Sequence, residues 1–192
     1  MGKTKQNKKE EIKDVQPIRS REKIEDMKWA LKRFCGQRDY ILFCLGIDTG
    51  LRCGDLLNLK VKDVEKKKEF TIKEGKTNKP RKIIVNGLYD ELNAYIQTLP
   101  KGTEWLFPSR RGNKPITTIQ AWRQLQKASE MAGVEHIGTH TMRKTFGYWY
   151  YKKTMDVAKL QMILNHSHPQ ITLRYIGITQ EEIDNTLVDF HL

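Results

Sequence analysis

The chain has 192 residues, the usual size of one globular domain, with hardly room for two full cores. Lys and Arg number 35 against 23 Asp and Glu, a formal charge of +12 with a pI near 9.6, and such an excess favours a polyanionic partner. Only 38% of residues are hydrophobic, and the longest apolar run, Tyr40 to Ile47, is broken by Gly46 and stops at Asp48, which excludes a membrane span.

Residues 1–16 carry Lys3, Lys5, Lys8, Lys9 and Lys13 with almost no apolar content. They cannot bury enough surface to order themselves, so a flexible basic tail is expected. No apolar core or small-residue cleavage site follows the basic stretch, so it is not a secretory signal and a cytoplasmic protein is expected. Ser20 is placed to cap a helix with apolar residues Ile24, Met27, Leu31 and Phe34 at helical spacing, closed by Gly36. A second, more apolar helix spans about Arg38 to Asp48 with Gly50 as its stop, and belongs in the core. A short helix is expected from Gly54 to Leu59.

Between Val61 and Val85 the pattern changes. Glu69 to Lys73 and Arg81 to Val85 carry Phe, Thr, Ile and Val around a turn holding Gly75, Lys76, Asn78 and Pro80, which predicts a small antiparallel sheet. Helical spacing returns with Leu88, Leu92, Tyr95, Ile96 and Leu99, ended by Pro100, and a turn with Trp105 and Pro108 follows. Further helices are expected over Thr117 to Met131, Thr141 to about Tyr151, Asp156 to Asn165 and His168 to Ile176. The fold class is α+β, mainly helical. After Arg174 the acids Glu181, Glu182, Asp184 and Asp189 meet no Lys or Arg, and Ile183, Leu187 and Phe190 fall at i, i+4 and i+7. This predicts an acidic helix with one apolar stripe that docks on its own body or on a neighbour. Cys35, Cys44 and Cys53 are odd in number and form no C-x-x-C pair, which points to reduced, half-buried thiols rather than a disulfide framework or zinc site.

Residues able to carry chemistry are scattered. Arg52 lies between Gly50 and Gly54, close to buried backbone, where a guanidinium needs a carboxylate or phosphate partner. An ion pair with Asp55 or Asp48 is the plain alternative. His140-Thr141-Met142-Arg143 places an imidazole and a guanidinium on one face near a helix start, where backbone amides also favour an anion. Alone, that spacing is weak. Asn165-His166-Ser167-His168 has no carboxylate or cysteine cluster at ligand spacing nearby, so no metal site is expected, and His168 beside Pro169 suits a helix cap. Tyr175 is a core tyrosine unless several cations converge on its target, because a phenol is a poor nucleophile near pH 7. Lys76 is a solvated turn lysine unless the turn reaches a site.

Taken in order, Arg52, Lys76, His140, Arg143, His166 and Tyr175 resemble the catalytic signature of the tyrosine recombinases, the phage integrase family. Thr-Gly-Leu-Arg-Cys-Gly-Asp-Leu-Leu-Asn-Leu-Lys from Thr49 is similar to the family's first arginine box, and Leu164-Asn165-His166-Ser167 followed by Tyr175 is similar to its last. The resemblance covers about Pro17 to the C-terminus. It implies a catalytic domain over 17–178, a basic tail over 1–16 and an acidic docking helix over 179–192.

The roles implied by the resemblance are definite. Tyr175 attacks the scissile phosphate to form a 3′-phosphotyrosyl bond, Arg52 and Arg143 hold the non-bridging oxygens, and Lys76 protonates the leaving 5′-oxygen. His140 acts as base, His166 donates to the phosphate, and Asp55 supports the cluster. No cofactor is needed, because the covalent bond stores the phosphodiester. The partners implied are double-stranded DNA and further copies of the chain, as a tetramer joined through the C-terminal helix. Two departures stand out. Asn165 replaces the family's usual glycine, and only about 16 polar residues precede the domain where relatives commonly carry a DNA-clamping domain, a layout similar to short fimbrial-switch invertases. Alternatives within the same chemistry or fold are a type IB topoisomerase and a DNA-binding accessory factor that has lost strand exchange.

Overall fold

The computed structural model describes residues 15–179 and Val188. The acidic segment beyond Thr179, Val188 apart, and residues 1–14 of the basic N-terminus lie outside the described residues, so the tail and docking-helix expectations are carried as sequence readings.

Helix α1 (Arg21–Phe34) starts where Ser20 accepts the Lys23 amide, and it buries Ile24, Met27, Ala30 and Leu31. Helix α2 (Gln37–Thr49) is buried on nearly every side, from Tyr40 through Gly46, and forms the centre of the main core. It ends at Gly50, whose φ of 62° is left-handed and where any Cβ would collide with the Phe146 ring. Short helices α3 (Cys53–Leu57) and α4 (Val61–Val64) follow. The second was not anticipated from sequence; Asp63 Oδ2 accepts the Lys60 amide at 3.3 Å and starts it.

Strands β1 (Glu69–Lys73) and β2 (Pro80–Ile84) pair antiparallel in the register Glu69 with Ile84 through Lys73 with Pro80. The second strand begins one residue earlier than expected, with a proline at its first position, where a missing N–H costs no ladder bond. Residue Val85 still donates to Lys68 O at 2.9 Å. Helices α5 (Tyr89–Gln97) and α6 (Thr118–Ala132) then pack on the first two, α6 opening with a reciprocal cap between Thr117 and Gln120 and closing at Gly133.

Helix α7 (Thr141–Thr154) runs about a turn further than expected, to a left-handed Met155 whose amide donates to Tyr151 O at 2.7 Å. Its start packs in the main core through Met142. Its later half joins a second, smaller core of Tyr148, Leu160, Leu164, Ile176 and Ile178, built with α8 (Val157–Leu164) and α9 (Pro169–Ile176). Gly147 allows α9 to approach, since a Cβ there would lie 2.7 Å from Ile176 Cγ2. Helix α8 ends at Asn165 in the left-handed conformation, φ 55°, the geometry that Asn tolerates at a helix stop.

The segment before α1 is laced into this scaffold. The amides of Gln16 and Ile18 donate to His136 O and Thr145 Oγ1, Trp149 Nε1 donates to Ile18 O, and Lys144 Nζ donates to Val15 O at 2.6 Å. Arg19 Nη2 donates to Gly177 O at 2.7 Å, just past α9. Thus Val15 and Gln16, counted with the basic tail on composition, are held against the body. Cys44 and Cys53 are buried rather than half-buried, and all three cysteines are free. Among the described residues no helix is long and apolar enough to cross a membrane.

Candidate active site

The six residues singled out in the sequence come from five separate elements. Arg52 is the residue capping the start of α3. Lys76 is exposed on the turn between β1 and β2. His140 and Arg143 open α7, His166 follows α8, and Tyr175 is in the last turn of α9. Five of them meet directly or through one neighbour.

Tyr175 Oη lies 3.1 Å from His140 Nδ1. Its ring also sits edge-on to both imidazoles, 6.3 Å from His140 and 5.0 Å from His166 between centroids, with Lys144 Nζ 5.3 Å over its face. His166 Nδ1 is hydrogen-bonded to Thr172 Oγ1 at 3.0 Å, which fixes the ring orientation. Arg143 is buried, only 2% exposed. It donates from Nη1 to Gly50 O at 2.6 Å and from Nη2 to Leu164 O at 2.5 Å, joining the two helix stops that flank the site. Arg52 Nη1 lies 3.2 Å from Glu74 Oε2 and 3.8 Å from Asp55 Oδ2, and Asp55 Oδ1 accepts the Gly75 amide at 2.9 Å. The lysine-bearing turn is therefore tied to the arginine loop. The charge of Lys76 is felt at both imidazoles.

Electrostatics set each group's state. Burial lowers the His140 pKa, with Arg143 and Lys144 adding to the effect, and burial with Arg143 and Arg52 brings His166 down to about 4. Both imidazoles are neutral at pH 7. Burial raises the Tyr175 phenol against the opposing pull of Arg143 and Arg52, so it carries its proton at rest. Burial also lowers Arg143 to about 10, which still leaves it charged at pH 7. The arrangement thus sets a protonated phenol against a neutral acceptor, beside guanidiniums that favour an anion.

Two residues at the centre were missed from sequence. Glu74, 1% exposed, faces Arg52 at 3.2 Å, Arg81 at 3.5 Å and Arg143 at 4.0 Å. Arg81 also donates to Thr49 O at 2.5 Å. The signal was present in the period of the strands. Glu74 follows Phe70 and Ile72 on the inward face, and Arg81 precedes Ile83 and Val85 on the inward face of β2. A charged residue at a core-facing strand position requires a partner of opposite sign. His168 takes the expected cap position of α9, but its side chain makes no cap bond. Among the described residues no group of three or more His, Cys, Asp or Glu converges on a point.

Comparison with known proteins gives the same reading. The model of the phage integrase family matches residues 21–182. A probable integrase/recombinase of Bacillus subtilis (strain 168), YoeC, is 51% identical over 168 residues, 87% of this chain and 92% of that protein. Tyrosine recombinase XerA of Pyrococcus furiosus is 31% identical over 150 residues, 76% of this chain but 52% of that protein, so the chain spans about half of this longer relative. Among solved structures, XerA recombinase aligns with a TM-score of 0.73 at 23% identity, over 90% of this chain and 64% of that one. The catalytic domain of bacteriophage HP1 integrase aligns at 0.61 and 18% identity, over 92% and 95%. A lambda integrase fragment, solved as a dimer bound to a core DNA site, aligns at 0.69 and 18% identity, over 88% of this chain and 62% of that one. The fold is that of an integrase catalytic domain. The chain belongs to the phage integrase family and is an integrase/recombinase of the tyrosine recombinase class, enzymes of DNA cleavage and rejoining.

Proposed function

We propose that the protein is a site-specific recombinase that cuts double-stranded DNA with Tyr175 and stores the broken bond as a 3′-phosphotyrosyl ester. The observation that carries this is the 3.1 Å approach of Tyr175 Oη to a neutral His140 Nδ1 beside Arg143 and Arg52. The phenol O–H donates to His140, which takes the proton as Tyr175 Oη forms its bond to phosphorus. Arg52 and Arg143 balance the charge that grows on the non-bridging oxygens. The bond to the 5′-oxygen breaks, and Lys76 supplies the proton that this oxygen needs to leave as a hydroxyl. His166 donates a further hydrogen bond to the phosphate. Rejoining runs the same steps backwards from a new 5′-hydroxyl, and the stored ester removes any need for a nucleotide cofactor.

Four of the buried polar atoms that lack hydrogen-bond partners belong to this one cluster, on Arg52, Asp55, Glu74 and Arg81. Two of them are carboxylate oxygens, and all four face an opposite charge within 3.8 Å, so they form an ion-pair network that backs the proposed phosphate site. The test is incubation with a nicked suicide duplex carrying the target sequence. A covalent protein–DNA adduct is expected from the wild type and none from Tyr175→Phe, whereas Arg143→Ala should lose cleavage yet keep much of its DNA binding. An accessory factor gives no adduct; a topoisomerase-like enzyme gives adducts with little site preference. Loss of binding with cleavage retained would overturn the roles assigned here.

Assembly as a tetramer through residues 179–192 belongs to the same proposal. A cavity of about 770 Å³ between β2 and α8 is lined by apolar Phe146, Met162 and Ile84, by Lys79, Arg81 and Lys82, and by Asp48 and Glu74. Its apolar side chains and lysines suit a segment whose Ile183, Leu187 and Phe190 alternate with acids.

A further inference from the structure

We infer that Glu74 is a positioning residue, and that its carboxylate, held by Asn165, fixes the lysine-bearing turn and the arginine cluster in one geometry. The inference rests on the cleavage chemistry proposed above. Both site arginines, Arg81, Asn165 and Thr77 of the lysine-bearing turn all reach this one side chain. Its Oε2 accepts from Thr77 Oγ1 at 3.0 Å and from Asn165 Nδ2 at 3.2 Å, and lies 3.2 Å from Arg52 Nη1. Its Oε1 faces Arg81 at 3.5 Å and Arg143 at 4.0 Å. Its carbonyl accepts the Asn78 amide at 2.8 Å. The turn that carries Lys76 is therefore gripped from below by Glu74 and from the side by the bond from Gly75 to Asp55.

Charge and burial explain why a carboxylate occupies this place. Three guanidiniums packed together repel one another, and Arg81 is itself buried deeply enough that desolvation lowers its pKa. One buried anion among them offsets that repulsion and gives each a fixed direction. Burial would raise the Glu74 carboxyl, yet the bonds from Asn165 and Thr77 and the Arg52 charge hold it below the ordinary carboxylate range, so it is ionised at neutral pH. Asn165 thereby gains a reason to be there. A glycine would serve the left-handed stop of α8 equally well but would bring no side chain to Glu74, so Asn165 links the segment before His166 to the lysine turn.

The experiment measures single-turnover adduct formation at saturating nicked duplex, with adduct amplitude counting active molecules and gel shift at fixed salt giving affinity. A wild type that forms no adduct refutes the cleavage proposal itself and is thereby told apart from a failure of this one. Given a wild-type adduct, Glu74→Gln should lower the rate constant about 10- to 100-fold without weakening DNA affinity, because a negative charge near the phosphate has been removed. A wild-type rate, or a loss of amplitude with the rate constant unchanged, overturns the inference, since the latter is what a merely structural role gives. Asn165→Gly, which keeps the backbone geometry, should slow cleavage several-fold on its own and have no further effect in the Glu74→Gln background. An unchanged rate in the single variant, or effects that multiply in the double, overturns the coupling, and this variant decides the matter if Glu74→Gln does not fold.

Discussion

In the proposed cleavage the proton that Tyr175 gives up as it attacks passes to His140, 3.1 Å away, and the state of that imidazole would set the working pH. Burial keeps Tyr175 protonated at rest and keeps His140 unprotonated, below its ordinary 6.5, with Arg143 and Lys144 adding to the second effect. The base form is thus filled at neutral pH and empties only when pH falls through the lowered value. Adduct formation, measured as kcat/KM, should be flat near neutrality and drop about tenfold per unit of pH once below that value; an acid limb centred at or above 6.5 would show that another group is titrating. Arg52, Lys76, His140, Arg143, His166 and Tyr175 were legible as candidates only in combination, through the order that resembles the family signature, since each alone has a plain structural alternative. Glu74 and Arg81 were not, because nothing in their local text separates them from the other charges of a lysine-rich turn. Their identity lies in the strand period, which puts both on the buried face, and that face is known only once the hairpin is docked.

Elements set how closely those residues meet. Most helix ends were readable because their chemistry is local: Ser20, Thr117 and Asp156 cap by side chain, and Gly50, Gly133 and Gly177 stop helices with positive φ. The extra turn of α7 and the short α4 were not readable, since the second core holds the first and a single back-bond from Asp63 starts the other. The close contact of α7 with α9 follows from Gly147, and α9 carries Tyr175. Gly147→Ala should therefore push Ile176 away and cost about 1–3 kcal/mol, read as a melting temperature lower by about 2–10 °C. The adduct rate should fall with it at temperatures where the protein is still folded. A variant with an unchanged melting temperature and rate would mean that α9 adjusts without moving its tyrosine.

At the scale of the whole molecule, the charge is unevenly placed. Residues 1–174 carry all 35 Lys and Arg against 19 Asp and Glu, while residues 175–192 carry four acids and no Lys or Arg. On DNA, a stretch of that charge would be repelled by phosphate and drawn to basic surface on protein, as the proposed docking requires. Removing residues 179–192 should leave single-site binding and the first cleavage step nearly intact, yet reduce higher-order complexes on DNA carrying paired sites, as sized by native gel or multi-angle scattering. Unchanged assembly would count against docking through this segment.

The bond from Arg19 to Gly177 gives the molecule an unusual mechanical economy. The guanidinium of Arg19, in the segment before α1, holds the carbonyl just beyond the helix that carries Tyr175, and its Cζ lies 5.6 Å from the ring centroid of Tyr148 in the core beneath that helix. A displacement of the segment before α1 would therefore be passed to the far end of α9, the helix that carries Tyr175.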